Sequence, residues 1–450
     1  MVMLPGCASY ERRQLYPPPP PPEEVAGEEK ESAKDDVPPG DTASDAGYTP
    51  PPGISTIEPL PDTEGTEAEL LTPPVAENLV RVLLFEQQPS QSVRIMGREA
   101  PVVFTDADGA RQIVPAQAVA ELKYVSGGRG VQFNGPGSSR ISPRWEFRSE
   151  DGSPLAFIHP EEGWRSYKGS LHVHAGDGKL RIINYIDLES YVGSVVGSEM
   201  NFTNLEALKA QAVISRTYAL WNSYLNSRAG DQEYDLTDHV MDQVYAGHHI
   251  EHPRFEQAAE ATAGQVLTWS GGLILAAFHS TCGGHTSNNE DVWIGNALPY
   301  LRYASDGQSC SASPHYAWEF DLPKASLHTL FGIDSITGLE TDNGGRVSEV
   351  IAQNGSRERR IGANAFRLRV NQRYGTFTLR SAHFEMLAEN GSYRFTGRGM
   401  GHGVGLCQWG ALGLAEAGWS YEDILRFYYK GVEITRLSSF ERSGFHLARF

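Results

Sequence analysis

The sequence predicts an α+β protein: a β-rich lobe, then a mixed helical and strand catalytic core around a cleft, preceded by a disordered N-terminal tether. Three observations carry that expectation. Sixteen of the 27 prolines fall before residue 76. Short apolar runs separated by Gly and Asp turns fill residues 79–192, with no helical pattern among them. Beyond residue 203, Ala- and Leu-rich segments at helical spacing alternate with further strands. The expected division is therefore a tether over 1–75, a β-rich lobe over 76–178 and a catalytic region over 179–435. A chain of 450 residues is long enough for two globular units at ~100–200 residues each.

Charge separates the tether from the rest. Residues 1–75 hold 15 acids against 4 bases, which is -11 of the total net charge of -18. The remaining 41 acids and 34 bases nearly balance, so the folded part offers no basic footprint and nucleic acid is excluded as a partner. High charge, few aromatics and the proline run 17–22 prevent residues 8–75 from burying enough surface to fold. Such a segment extends at ~3.1 Å per residue and acts as a spacer. At its head, Leu4-Pro5-Gly6-Cys7 has the form of a lipoprotein cleavage box, which would make Cys7 a lipid anchor; a chance L-x-G-C is the alternative. Nowhere do apolar residues run for the ~18–20 positions of a membrane span.

The lobe opens with a strand at 79–85 and continues with strands at 93–96, 101–104, 131–133 and 171–174, divided by turns such as Asp108-Gly109, Gly127-Gly128 and Asp151-Gly152. It leads through 180–186 and 191–192 into V-V-G-S-E-M (195–200), read as an apolar strand ending beside Glu199. Thr203 and Glu206 have capping-box spacing, so a helix is expected from 205 to about 225. Further expectations are helices at 253–263, 363–373, 411–417 and 421–429, a hairpin turning at Ser270-Gly271-Gly272, and strands at 347–352 and 377–379.

Four constellations have chemical potential. Glu199 is a lone acid flanked by Val195, Val196 and Met200; such surroundings can raise a carboxyl pKa enough to make it a proton donor, although an acid at a helix entrance is more often solvated. Arg216 lies in an apolar helix and needs a carboxylate near the helix entrance, an anionic substrate, or a path for its head to solvent. His279, Cys282 and His285, with Cys310 downstream, offer imidazole and thiolate ligands suited to zinc; a Cys282–Cys310 disulfide is the rival. Glycine at every second position from 397 to 405 allows a backbone to lie against a ligand or another strand. It would present His402 and Gln408 to a cleft, with Trp409 beside them and Ser198 next to the acid as further binding candidates.

Together these stretches resemble the SpoIID/LytB family. The matching motifs are V-V-G-S-E-M with L-E-A-L-K-A-Q-A-V-I-S-R-T-Y-A-L, then F-H-S-T-C-G-G-H-T with D-V-W, then G-R-G-M-G-H-G-V-G-L-C-Q-W-G-A and a closing F-Y-Y-K-G. The resemblance spans roughly 180–431 and occurs in the family's order. The connection Asn201-Phe-Thr-Asn204 departs from it, being a residue shorter and lacking the usual prolines. The resemblance implies a peptidoglycan lytic transglycosylase in the cell envelope or periplasm, with Glu199 as catalytic acid, Arg216 as its functional partner and glycan strands as substrate. The alternative it implies is a non-catalytic, glycan-binding amidase enhancer, with an amidase as partner. Some relatives bind zinc near the His/Cys motif, whereas the transglycosylase chemistry itself requires no cofactor. A zinc hydrolase built on His279, Cys282 and His285 is a third reading.

Overall fold

The computed structural model describes residues 79–439, apart from 128–129, 230–232, 240–241, 249–251, 294 and 376. The tether at 8–75 and Cys7 therefore lie outside the described residues. The α+β class is as expected: the chain forms several sheets and seven described α-helices.

Twelve strands make the first lobe: β1 (Leu79–Leu84), β2 (Ser92–Gly97), β3 (Val102–Asp106), β4 (Arg111–Val114), β5 (Val119–Val125), β6 (Gly130–Gly135), β7 (Ser138–Ser142), β8 (Arg144–Ser149), β9 (Leu155–His159), β10 (Gly163–Tyr167), β11 (Ser170–Gly176) and β12 (Lys179–Asp187). They form two packed sheets, one ordered β10-β9-β2-β5-β6-β7, the other running β1-β12-β11-β8-β3-β4 with the short β13 (Leu236–Thr237) beside β1. The alternation of buried and exposed residues along β2 and β8 turns one face of each sheet inward. Between the sheets Phe133 packs at a tilt against Phe104 and Trp145, and Trp145 Nε1 donates to Val131 O at 3.0 Å.

From β12 the chain passes straight into α1 (Leu188–Glu199), then α2 (Leu205–Ala229) and α3 (Arg254–Ala261). The expected strand ending at Glu199 is thus a helix. Its start is fixed by Asp187, whose carboxylate accepts the Ser190 N–H, and nine of its twelve residues are buried, so packing overrides the β-branched valines and two glycines. The expected capping box is also replaced. Asn204 Oδ1 accepts the Glu206 N–H, while the Glu206 carboxylate accepts Tyr421 N–H and Lys209 Nζ.

The remaining elements are β14 (Gln265–Trp269), β15 (Gly272–Leu273), β16 (Phe278–His279), β17 (Ala317–Pro323), α4 (Ser326–Phe331), β18 (Ser335–Thr341), β19 (Val347–Asn354), β20 (Arg357–Gly362), α5 (Ala363–Tyr374), β21 (Phe384–Ala388), β22 (Ser392–Arg398), β23 (Leu406–Cys407), α6 (Gln408–Glu416), α7 (Tyr421–Tyr428) and β24 (Glu433–Arg436). The strand expected at 377–379 does not form.

Two hydrophobic cores organise these elements. One runs without a break from Val80 to Val432 through the β lobe and helices α1–α3, α6 and α7. The other, from Trp318 to Phe395, belongs to a unit inserted between them, built from two three-stranded sheets with α4 and α5. The boundary expected at 178/179 falls inside the β11–β12 hairpin, and the real subdivision is this insertion. Arg346 ties it back: fully buried, it donates to Cys282 O at 3.0 Å and Ser287 Oγ at 3.1 Å.

Candidate active site

Glu199 is the last residue of α1 and 5% exposed. The carbonyl end of a helix carries partial negative charge, so both position and burial oppose a bare carboxylate there. Val244 N–H offsets this by donating to Glu199 Oε1 at 2.8 Å. The segment carrying Val244 returns from β13 and folds over the end of α1. Ala246 N–H donates to Ser198 Oγ at 3.0 Å, and Ser198 Oγ in turn donates to Ser194 O at 2.8 Å. Ser198 therefore anchors this cover, and both bonds commit its hydroxyl.

Two tyrosines complete the surroundings. Tyr191 Oη donates to Gln243 Oε1 at 3.1 Å. Tyr218 Oη donates to Asp242 Oδ1 at 3.5 Å, and Asp242 Oδ2 accepts the Thr237 N–H and hydroxyl, each at 2.8 Å. Burial, reinforced by the nearby Asp242 and Glu199 charges, pushes both phenols well above their ordinary range, so they remain O–H donors. Gln243 Nε2 is fully buried with no hydrogen-bond partner among the described residues. A buried amide donor left open beside a buried acid is the arrangement a ligand oxygen completes. Nothing in the sequence singled out Asp242, Gln243, Tyr191 or Tyr218; the D-Q-V run at 242–244, in a loop among apolar residues, was the available signal.

The other expected residues divide. Gln408 is brought to Glu199: its Nε2 lies 3.4 Å from Glu199 O and 3.4 Å from Gln211 Oε1. Trp409, half-buried, packs edge-on against Phe202 at 4.9 Å, close to the acid. Arg216 is elsewhere. It is fully buried, forms a two-point pair with Glu189 (Nε to Oε1, 2.9 Å) and donates to Gln265 O and Ala259 O, each at 3.1 Å. Glu189 sits at the opposite end of α1, ten residues or roughly 15 Å of helix from Glu199. Arg216 thus fastens α1, α2, α3 and β14 together, and its head does not reach the acid.

His402 is also structural in its contacts. It is buried, its Nε2 is 2.8 Å from Phe278 O and its Nδ1 accepts the Val404 N–H at 3.1 Å. The glycine stretch packs against protein. A side chain at Gly405 (φ 70°) would strike Ala277 O, and one at Gly403 would strike the Arg346 guanidinium. The alternation lets residues 399–405 lie along 277–283, ending in the parallel pair of β16 with β23.

That pairing creates a second constellation. Cys282, Asp306, Cys310 and Cys407 are buried, with ligand atoms all within 4.8 Å of one another. Cys282 Sγ stands 3.1 Å from each Asp306 oxygen and 3.5 Å from Cys310 Sγ, too far for the ~2.05 Å of a disulfide. Only Cys282 and Cys310 of the expected ligand set are present. His279 Nδ1 lies 3.2 Å from Val404 O, and His285 stacks on Tyr303 and packs at a tilt against His383. Extended residues three apart face different ways, and the Gly283-Gly284 turn folds only Cys282 inward. Burial raises the Cys282 and Cys407 thiols and lifts Asp306 to about 6; bonds from the other two thiols lower Cys310 to about 3. Three thiols and a carboxylate are a donor set that fits zinc.

Comparison with known proteins decides the family. The stage II sporulation protein family matches residues 176–269, from the β11–β12 hairpin through β14. An uncharacterised protein of Brachyspira hyodysenteriae is 30% identical over 368 residues, 80% of this chain and 93% of its own length. The stage II sporulation protein D of Bacillus amyloliquefaciens is 32% identical over 275 residues, 57% of this chain and 77% of its own. The chain belongs to the stage II sporulation protein D family. The family match contains Glu199 and the segment at 242–246 that covers it, and it ends before the cysteine cluster. The amidase enhancer of Bacillus subtilis is a further relative, 28% identical over 296 residues, 54% of this chain and 40% of its own length.

Proposed function

We propose that this protein is a peptidoglycan lytic transglycosylase of the cell envelope, with Glu199 as both general acid and general base. Membership of the stage II sporulation protein D family supports a cell-wall-related function. The observation that carries the finer reading is Glu199 itself: a buried carboxyl at a helix end that accepts the Val244 N–H, with the adjoining Gln243 offering a buried amide donor that has no partner among the described residues.

The reaction needs one such carboxyl. Protonated Glu199 gives its proton to the oxygen of the MurNAc–GlcNAc bond as the bond to C1 breaks. The oxocarbenium-like C1 is captured by the 6-hydroxyl of the same MurNAc, whose proton returns to the Glu199 carboxylate. The products are a 1,6-anhydroMurNAc end and a free GlcNAc hydroxyl; no water is consumed and no second carboxylate is required. Val244 N–H steadies the Glu199 carboxyl through Oε1. Gln243 Nε2, aligned by Tyr191, is the donor available to a sugar hydroxyl or acetamide oxygen. Because Glu199 is 5% exposed, residues 242–246 must open from α1 to admit the sugar and close again over it, restoring the Val244 contact before the proton is transferred.

The test is mass spectrometry of purified peptidoglycan after incubation with the full chain, where anhydro-ended fragments are expected. A second reading, a glycan-binding activator of an amidase, is favoured by the likeness to the amidase enhancer. It predicts unchanged glycan length, binding to sacculi and stimulation of an added amidase.

A further inference from the structure

We propose that Cys282, Asp306, Cys310 and Cys407 form a closed, four-ligand zinc site that holds the start of α6 in place and does no chemistry of its own. This inference is independent of the transglycosylase reading, because it rests on a cluster outside the surroundings of Glu199.

The geometry is that of a built site. Tetrahedral zinc with Zn–S bonds of ~2.3 Å places its sulfurs about 3.8 Å apart. Cys282 and Cys310 are at 3.5 Å, and all four donor atoms lie within 4.8 Å of one another. The groups around the ligands are those a metal thiolate needs. Cys282 N–H donates to Cys407 Sγ at 3.2 Å, Gly284 N–H to Cys282 Sγ at 3.3 Å, and Gly410 N–H to Cys407 Sγ at 3.2 Å. Tyr428 Oη donates to Asp306 Oδ2 at 2.8 Å and so orients the carboxylate.

The close approach of the contributing segments has the same purpose. A Cβ at Gly413 would sit 2.0 Å from Ser309 O, and one at Gly410 would sit 2.2 Å from Asp306 Oδ2. The first turns of α6 are therefore pressed onto the 306–310 loop, which brings Cys407 to the other three ligands. Without a cation, three sulfurs and a carboxylate packed this tightly would leave charge or unmet donors in the interior. Soft sulfur donors in tetrahedral number select zinc over magnesium or calcium.

With four protein ligands no position remains for water or substrate, which marks a structural metal. Its effect reaches the acid through sequence. Cys407 is the N-cap of α6, and the next residue, Gln408, lies against Glu199 O.

The full chain, purified without chelator or nickel affinity steps, is expected to carry about one zinc by elemental mass spectrometry. Its three described cysteines are expected to resist alkylation until the metal is stripped. Cobalt substitution is expected to show sulfur-to-metal charge transfer and strong tetrahedral ligand-field bands. Cys407→Ser and Asp306→Ala are expected to lose most of the metal, while His285→Gln keeps it. If Cys407→Ser does not fold, the metal content, alkylation and cobalt spectrum of the unmodified chain decide the question. Metal-free protein with freely alkylated thiols, a Cys282–Cys310 disulfide, stoichiometric iron, or zinc lost in His285→Gln but retained in Cys407→Ser would each overturn the proposal.

Discussion

Val244 donates its backbone N–H to the buried carboxylate of Glu199, so the acid's pose is set by a chain segment 45 residues downstream of it. The neighbouring Gln243 brings the unpaired donor. Replacing Gln243 with Leu removes that donor and leaves the Val244 amide in place. The expected result is a loss of roughly 10²-fold in kcat, in the range seen for single preorganised donors. The melting temperature should fall by only a few degrees: an unmet amide donor is removed, but the buried Tyr191 hydroxyl loses its acceptor, a cost of about 1–3 kcal/mol. Steady-state release of anhydro ends, measured beside thermal melting, separates the two effects.

Arg216 is expected to govern stability. Arg216→Met strands the Glu189 carboxylate and two carbonyls, a loss of about 3–5 kcal/mol by analogy with broken buried pairs. Glu189→Gln should cost at least as much, because it leaves the fully buried Arg216 guanidinium without its counter-charge, whereas the carboxylate stranded by Arg216→Met is partly exposed. Chemical denaturation of both single variants and the double variant should show strong non-additivity. Arg216→Lys tests the alternative role: a variant that keeps full stability but loses kcat would place Arg216 in the chemistry.

Acid should weaken the fold through His279 and His402. Burial is the main cause of both depressed values, to about 3 for His279 and well below the ordinary value for His402; Arg346 also lowers His279, and His279 lowers His402. Both imidazoles are neutral when folded and take up protons when unfolded below about pH 6.5. Between there and the folded values the unfolded state binds more protons, so stability is full above about 6.5 and falls as pH drops. Each contributes a slope of up to about 1.4 kcal/mol per pH unit. Urea unfolding at pH 7 and pH 5 should show the loss, and His402→Gln should flatten it; an unchanged slope would contradict the assignment.

Gly405→Ala should prevent or severely weaken folding. The added carbon meets Ala277 O at 1.9 Å in a backbone of φ 70°. An alanine at the exposed Gly109, also at positive φ but with open space around it, should cost only about 1 kcal/mol. Comparing soluble yield and melting of the two variants isolates the packing effect.

How far the sequence was legible depended on the range of the interactions that decide each element. Turn glycines and alternating strands made the β lobe readable because these signals are local, and α7 likewise begins at a local cap, where the Ser420 hydroxyl accepts the Asp423 N–H. α1 looks like a strand in the sequence because Val195 and Val196 favour one; only its Asp187 cap and its burial among other elements make a helix. The insertion from Trp318 to Phe395 was hidden because its strands look like any others, and only a separate core distinguishes them. At the candidate site, Glu199 was legible as a residue and its cover was not, since the Val244 contact is made in space. The cysteine cluster shows the same limit. Cys282 and Cys310 lie near each other in sequence, but Cys407 joins them only through the Phe278–Leu406 and His279–Cys407 strand pairs.

The most direct test of the central claim is the rate at which Glu199→Gln releases 1,6-anhydro ends from purified glycan strands. Glutamine keeps the shape and can still accept the Val244 N–H, so folding and sacculus binding are expected to survive. The account predicts a loss of at least about 10²-fold, the lower range for removing a general acid and base. Release by Glu199→Gln at the rate of the unmodified chain would contradict it.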